Sequence, residues 1–593
     1  MTGDAARDSR PAFSASVARA AALAGLASAV QLLFVYRKVH VNGTFAWASR
    51  DVFWMSPLAN VVLLAVVVAI LWGVGRFVPR LRSSAVIDAA VGTVAAIAAL
   101  LVIGGLAEWA VTVLALGAGV QWSRLGTGRA QVVQRWVTRF GLVVGLLSIV
   151  GGFGERLTRS RRDGVETSSS ASGPNVLLII WDTVRAANLG LYGYARSTAP
   201  ELEQLARDGV TWNWAMSPAP WTLPSHCSMF TGLHHGEHSC RWDDPLRGDS
   251  VTLAGEFRRH GWRTAGFVAN PFYTTAETGL QRGFDVWEDF RLSPRQLLLS
   301  STLMQTAIAR DLLTGEGWAG KTKALRQLKL RGDPKPLSDR KLATHVVDEF
   351  LDWQSREQRP FFATLNLFDA HDPYDPPAPW RTKFSASPDR VALYDGGIAY
   401  MDHELGRLLR ELEQRGALAN TVVVVTSDHG EMFGEHDIEN HGHALYLPLI
   451  HVPLVIRAPG RLAPGTRSES TVGLRDLGAT LLELAGISEP GRFPGQSLVT
   501  TATAAVDTTP GARLVLAETE RSKLFWGKGP ARDGAMHALI DDRYHYIRDG
   551  KGREELFRYR VDTGQQENLA GIDTSRAAWY RSRLGTVSRR LVQ

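Results

Sequence analysis

The chain has 593 residues, 45% of them hydrophobic and 21% charged, with two cysteines, Cys227 and Cys240. That length accommodates several domains, each with its own core, while the apolar content excludes wholesale disorder and the cysteine count excludes a disulfide scaffold. The formal charge of +7 sits in the first quarter, where 13 Lys and Arg meet 6 Asp and Glu up to Glu155 and 53 of each lie beyond; basic residues around apolar segments mark a membrane domain, not a nucleic-acid surface.

A bilayer span needs about 20 mostly apolar residues. Residues 17–35, 55–72, 85–105, 106–122 and 136–153 fit, which predicts a multi-span α-helical membrane domain over 1–155 with about five helices. The fourth segment is short and carries Glu108 near its start; with the third it predicts a tight hairpin. Residues 24–29 are small enough to mimic a signal-peptidase site, but four apolar segments follow, so the first is read as a retained anchor. An N-terminus inside places ten basic residues inside and seven outside. Five spans then leave the rest of the chain outside the cytoplasm, as an integral, multi-pass membrane protein.

The stretch 156–174, ending in TSSSASGP, reads as a linker. From residue 175 short apolar runs alternate with helical patterns. Strands are expected at 176–180, 264–268, 361–367 and 421–426, and helices at 202–208, 253–260 and 397–415. Such alternation predicts an α/β domain with a mostly parallel sheet, assigned to 175–500, and a small C-terminal subdomain over 501–593. In open α/β sheets ligands bind beyond the carboxyl ends of the strands. Asp182, Asn270, Asp369 with His371, and Asp428 with His429 follow the four expected strands in turn. Each alone is an ordinary loop residue; four strand ends carrying such groups point to one site.

The segment WTLPSHCSMFTG, residues 221–232, places Pro224 in the first turn of a helix and Thr222 where an N-cap stands. Thr222 either caps that helix or presents its hydroxyl where a helix N-terminus holds an anionic ester. An unaided threonine is a poor nucleophile, and a metal activates it. Asp182, Asp428 and His429, with Thr222 itself, are the expected ligands of one divalent ion: Zn²⁺ or Mn²⁺ by ligand chemistry, with Ca²⁺ suited less well by the histidine.

Five blocks occur in order: NVLLIIWDTVRAANLGLYGY, the Thr222 segment, TLAGEFRRHGWRTAGFVANPF, PFFATLNLFDAHDPYDPP, and TVVVVTSDHGEMFGEH with NHGHALYLPLIHVPLVIRAPG after it. On these the domain resembles the sulfatase family of the alkaline phosphatase superfamily over roughly residues 175–570. The resemblance implies an enzyme, a metal-dependent hydrolase or transferase. It departs at one place. Sulfatases carry Cys or Ser in a C/S-x-P-S-R pattern and oxidise it to formylglycine; here that position is Thr222 and the arginine position is His226. Threonine would oxidise to a ketone, and Cys227 lacks the surrounding Pro and Arg, so Cys227 reads as a small buried helix residue. A Cys227–Cys240 disulfide is the lesser alternative.

A threonine here, behind a membrane domain, is similar to phosphoethanolamine and phosphoglycerol transferases, which attack phosphorus with a metal-bound threonine. The resemblance implies catalytic roles for Thr222, His371 and His441, with the two histidines stabilising charge or protonating the leaving group. It also implies substrate contacts for His226 and Asn270. His436 and His443 read first as ordinary structural residues, with support of the site or headgroup contact as the alternative, and His234, His235 and His238 as post-helix loop.

An insert over 291–339 has no counterpart in the blocks. Its stretch 321–341 holds eight Lys and Arg and two Asp, and reads as a solvated face or a patch on anionic lipid; Trp318 is the one aromatic there suited to an interface. The expected function is phosphoester hydrolysis or headgroup transfer on an extracytoplasmic lipid or glycan, with the membrane bilayer as partner and no nucleic acid. A sulfuric ester hydrolase and a catalytically silent membrane scaffold are the alternatives, and the retained metal set argues against the last.

Overall fold

The computed structural model describes residues 13–103, 106–126, 130–162, 172–238, 240–305, 340–357, 359–487, 489, 491–503, 513–521 and 529–592. The chain folds as two units, Met1–Gly164 with Phe290–Asp339 and Val165–Asp289 with Arg340–Gln593.

The first unit is helical: α1 (Phe13–Tyr36), α2 (Val52–Val74), α3 (Ser84–Leu100), α4 (Glu108–Leu125) and α5 (Gln131–Arg162). Each expected apolar segment lies on one of them. Among the described residues three stretches, Phe13–Val41, Val52–Val74 and Gln131–Arg156, are long and apolar enough to cross a membrane; Ser84–Leu100 is apolar but shorter. Length and composition therefore give three spans where five were expected. The 17 residues of α3 extend only about 25 Å, short of a hydrocarbon core of about 30 Å. In α4, Gln121, Ser123 and Arg124 dilute the apolar run.

Small residues set how these helices pack. A Cβ on Gly25 would stand 2.3 Å from the Gly141 carbonyl oxygen, and one on Gly141 2.3 Å from that of Ala22, so α1 and α5 meet backbone to backbone. Polar pairs join helix ends. Asp88 accepts from Arg19 Nε at 2.7 Å and from Gln134 Nε2 at 3.2 Å, linking the N-terminal parts of α1, α3 and α5. At the opposite ends Arg156 of α5 pairs with Asp51, which precedes α2. Residues 290–305 of the insert belong to this unit, with a short helix at Pro294–Leu299. Trp318 and 321–339 of the basic stretch lie outside the described residues.

The second unit is built on a nine-stranded sheet. Its strands are β1 (Asn175–Trp181), β2 (Val210–Met216), β3 (Arg263–Val268), β4 (Val286–Glu288), β5 (Phe361–Leu367) and β6 (Thr421–Thr426). After a two-stranded ribbon, β7 (Met432–Phe433) with β8 (Glu439–Asn440), come β9 (His451–Val452), β10 (Leu454–Arg457) and β11 (Thr466–Gly473). The order is β11-β2-β10-β6-β1-β5-β3-β4, with β9 on β2. β6, β1, β5, β3 and β4 run parallel; β10 is antiparallel to both β6 and β2. β2 therefore points the same way as β6.

The central strands are buried on both faces, which is why they read as unbroken apolar runs. Leu177, Ile179 and Trp181 face a core with Val346, Phe350, Tyr394, Ile398 and Met401 from helices Ala343–Gln354 and Arg390–Gln414. On the other face Phe362 stacks on Phe257 at 4.6 Å. The C-terminal part is an antiparallel sheet, β12 (Val515–Thr519), β13 (Met536–Ile540), β14 (His545–Arg548) and β15 (Glu554–Phe557). Helix Thr574–Val592 covers one face through Tyr580 and Leu584; the other packs on Met432, Leu445 and Ile450.

The α1–α5 contact leaves no room for a side chain. Gly141→Leu is expected to cost about 1–3 kcal/mol and to lower the thermal midpoint of the detergent-solubilised protein; an unchanged midpoint would contradict this packing.

Candidate active site

Adjacent parallel strands deliver their carboxyl ends to one edge of the sheet, and the candidate site forms there. Asp182 follows β1, Asp428 follows β6, and Asn270 follows β3. The polarity of β2 brings helix Thr222–Thr231 to the same edge.

Carboxylate oxygens of Asp182 and Asp428 and a ring nitrogen of His429 lie within 4.8 Å of one another, and all three residues are fully buried. Each carboxylate has one oxygen held and one without a partner. Asp182 Oδ2 accepts from Asn270 Nδ2 at 3.0 Å and Asn366 Nδ2 at 3.1 Å. Asp428 Oδ1 accepts from the backbone N–H of Thr183 at 3.1 Å and of His429 at 2.9 Å. Asp182 Oδ1 and Asp428 Oδ2 have no hydrogen-bond partner. Burial raises the pKa of Asp182, and the neighbouring Asp428 charge raises it further. Burial likewise raises Asp428, against the backbone donors that lower it. Two buried oxygens facing each other without donors are poorly stable as free anions and well suited to a cation.

His429 completes the set. Its Nδ1–H donates to the Gly430 carbonyl at 2.9 Å, which leaves Nε2 with its lone pair toward the carboxylates. Burial lowers the pKa of this ring, favouring the neutral form that a metal ligand must take. Thr222 Oγ1 lies 3.2 Å from that nitrogen. Thr222 is the first residue of its helix, Trp221 holds the N-cap position, and neither side chain caps it. The hydroxyl is thus turned to the acidic cluster and not spent on the helix end. Ser225 Oγ donates to the Asp428 carbonyl at 2.7 Å, fixing this helix to the loop that carries the ligands.

The other expected residues divide. His441 Nδ1 bonds Glu431 Oε1 at 3.0 Å, and Glu431 Oε2 accepts from Tyr374 O–H at 3.0 Å. The His441 ring lies 4.5 Å from that of His429 and 5.1 Å from that of His371, so both expected histidines reach the site. His371 stacks on Phe368 at 4.3 Å. His226 lies beside the ligands: its Nδ1–H donates to the Thr222 carbonyl at 2.8 Å, and Nε2 is buried without a partner. Burial pushes its pKa down to about 4, so it is neutral there, unlike an arginine.

Asn270 departs from its expected role. Its amide is committed to Asp182 and its carbonyl oxygen accepts from Phe272 and Tyr273 N–H at 3.0 and 3.1 Å. Both polar ends are occupied, so it holds a ligand in place and does not face an anion. Asp369 accepts from Ala343 N–H at 2.9 Å at the start of a helix. His436 stacks on Tyr446 at 3.8 Å, His443 is buried, and His238 bonds Ser228 Oγ at 3.0 Å.

Several residues of the site escaped the sequence reading. Asn366 is an asparagine inside a wholly buried strand, a polar interruption of a mostly apolar run. Glu431 directly follows the Asp-His-Gly run. Thr183 has φ +63°, a left-handed conformation uncommon for threonine, which aims its N–H at Asp428. Nothing in the sequence signals that conformation.

Cys227 and Cys240 form a disulfide, which corrects the reading of Cys227 as an unpaired buried residue. The bond ties the Thr222 helix to the loop after it. His238 lies against both sulfurs, but sulfurs bonded to each other offer no thiolate to a metal. Closing a 13-residue separation stabilises by about 3 kcal/mol in the chain-entropy account. Cys227→Ser with Cys240→Ser is expected to lower the thermal midpoint, and the untreated denatured protein to take up no thiol reagent until reduced; two free thiols would contradict the bond.

The sequence pattern of the family described as Sulfatase matches residues 174–487. Among curated proteins the chain is 23% identical to the Uncharacterized sulfatase YidJ of Escherichia coli, over 69% of this chain and 85% of that one. It is 26% identical to an arylsulfatase of Clostridium perfringens, over 55% and 77%. Among solved structures, the phosphonate monoester hydrolase of Agrobacterium radiobacter superposes with a TM-score of 0.55 at 22% identity, covering 70% of this chain and 96% of that one. The alkaline-phosphatase-like fold, the ordered blocks and the acidic cluster at the strand ends agree with these matches, and the chain belongs to the sulfatase family.

Proposed function

We propose that this chain is a metal-dependent phosphoester hydrolase or headgroup transferase that uses Thr222 as its nucleophile. One observation carries the reading: the family's nucleophile position holds a threonine whose Oγ1 lies 3.2 Å from His429 Nε2, beside two buried carboxylate oxygens without partners. Threonine is not a precursor of formylglycine, so the chemistry of a hydrated aldehyde on sulfur is closed to it.

The donor set fits a divalent ion. Asp182, Asp428, His429 and the Thr222 hydroxyl would hold it, and when bound it lowers the pKa of a coordinated hydroxyl and neutralises anionic ester oxygens. The remaining work falls to side chains. Thr222, its hydroxyl proton given up to solvent beforehand, attacks phosphorus through Oγ and forms a P–O bond while the bond to the leaving oxygen breaks. The Glu431–His441 pair fixes the ring so that Nε2 gives the leaving oxygen its proton. Water or a lipid or glycan hydroxyl then attacks the phospho-threonine, gives its proton to the same nitrogen, and releases Thr222. His226 and His371 border this space as neutral or polarising contacts.

Localisation follows the same reading. A disulfide beside the nucleophile suits an oxidising compartment, and three helices suited to crossing a bilayer precede the catalytic unit. An extracytoplasmic catalytic unit acting on a lipid-borne or glycan phosphoester accords with both.

Sulfate ester hydrolysis is the second reading, favoured by relatives that carry the name sulfatase. The fold also occurs in a phosphonate monoester hydrolase, so it does not by itself choose between sulfur and phosphorus. Aryl phosphodiesters and aryl sulfates assayed on the purified full-length protein separate the two. Phosphodiester turnover should exceed sulfate turnover, and Thr222→Ala should lower it about a thousandfold or more; faster sulfate turnover would favour the second reading. Asn366→Ala removes a donor from Asp182 and should weaken metal affinity about 10–100-fold, read by titration of metal-stripped protein.

A further inference from the structure

The spans contain polar residues that anchoring alone does not require. Gln31 lies five residues before the end of α1 and Asn60 eight residues past the start of α2, about 8 and 12 Å inside the helix ends. Both are buried. An amide at such depth in an apolar span is costly unless its hydrogen bonds are met within the protein.

Half of them are met by the insert and half by serines of the neighbouring helices. Gln31 Nε2 donates to the Ser300 carbonyl at 2.8 Å, and Gln31 Oε1 accepts from Ser56 Oγ at 2.6 Å. Asn60 Oδ1 accepts from Ser301 Oγ at 2.5 Å, and Asn60 Nδ2 donates to Ser28 Oγ at 2.8 Å. Thr302 Oγ1 donates to the Ala98 carbonyl near the end of α3 at 2.7 Å. Leu303 then packs on the apolar core that Ala24, Leu64, Val68 and Ala95 form among these three helices. The turn 300–302 thus enters between α1, α2 and α3 from the side of the α1 C-terminus and the α2 N-terminus. That is also the side of Asp51, which pairs with Arg156 in the C-terminal part of α5.

We propose that residues 294–303 are a re-entrant membrane element, a second attachment of the catalytic chain to the bilayer that is independent of the linker after α5. The chain leaves the catalytic unit after Asp289, is clasped by Gln31 and Asn60 inside the helical unit, and returns at Arg340. The bundle supplies the partners that irregular backbone needs at membrane depth, and the turn in turn meets one polar end of each amide of α1 and α2. The inference rests on α1 and α2 crossing the membrane.

The test uses the full-length protein in native membranes, with a specific protease site placed in the linker at 167–174. After cleavage and an alkaline carbonate wash, both fragments should stay in the membrane pellet. Loss of the catalytic fragment to the wash with the helical fragment retained overturns the proposal. Loss of the helical fragment overturns it together with the membrane reading, so the two failures are distinct. Gln31→Leu with Asn60→Leu should release the catalytic fragment on cleavage while the helical fragment stays; full retention would show that the clasp does not hold the turn. Should that variant fail to fold, cysteine labelling in intact membranes decides. Leu303→Cys should react with an impermeant maleimide about tenfold or more slowly than Leu292→Cys, whose native side chain is exposed. Equal rates would overturn the proposal.

Discussion

The catalytic unit is organised around two buried carboxylates that face each other at the ends of neighbouring parallel strands. Asp182 and Asp428 are fully buried, and each keeps one oxygen without a partner. Leaving both ionised and uncompensated would cost several kcal/mol. The surroundings divide the burden unevenly. One oxygen of each is stabilised by donors, the amides of Asn270 and Asn366 or the backbone of Thr183 and His429, while the other faces the shared space. Such one-sided satisfaction separates a ligand site from a structural acid pair, in which the remaining oxygens would also find donors.

Much of the neighbouring structure serves this arrangement. Thr183 accepts a left-handed backbone to bring its N–H onto Asp428. Gly430 has no room for a side chain, since a Cβ there would stand 2.0 Å from the Pro448 carbonyl oxygen. Trp221, next to Thr222, packs against His441 at 4.8 Å and against Tyr273 at 5.4 Å. The disulfide and the Ser225 hydrogen bond hold the Thr222 helix from two directions. Packing and donors hold these groups from several sides, the preorganisation that transfer between an oxygen nucleophile and an ester needs.

The sequence was informative where one physical rule dominates. Doubly buried strands read as apolar runs, so β1, β3, β5 and β6 are legible and their polar ends point to one edge, while β2, VTWNWAM with its polar interruptions, is not. Asp182, Thr222, Asp428 and His429 converge there as expected, with His371 and His441 beside them. Asn270 was placed at the right edge with the wrong task, because proximity to a strand end does not say which way an amide points. Glu431 and Tyr374 orient His441 across 57 to 67 positions of chain for the tyrosine and ten for the glutamate, a relation that exists only after folding. The span count fell to three by length and composition because α3 is short and α4 polar at its end. The insert's place in the helical unit was illegible because Gln31 and Asn60 meet Ser300 and Ser301 from more than 240 residues away.

The account stands on phosphorus chemistry at Thr222. Its most direct measurement is the accurate mass of the peptide containing Thr222, from protein trapped during turnover in its native membrane. A phosphorus-bearing adduct on the threonine oxygen is the predicted result, and its mass would identify the group transferred. A sulfate adduct at that oxygen would contradict the account.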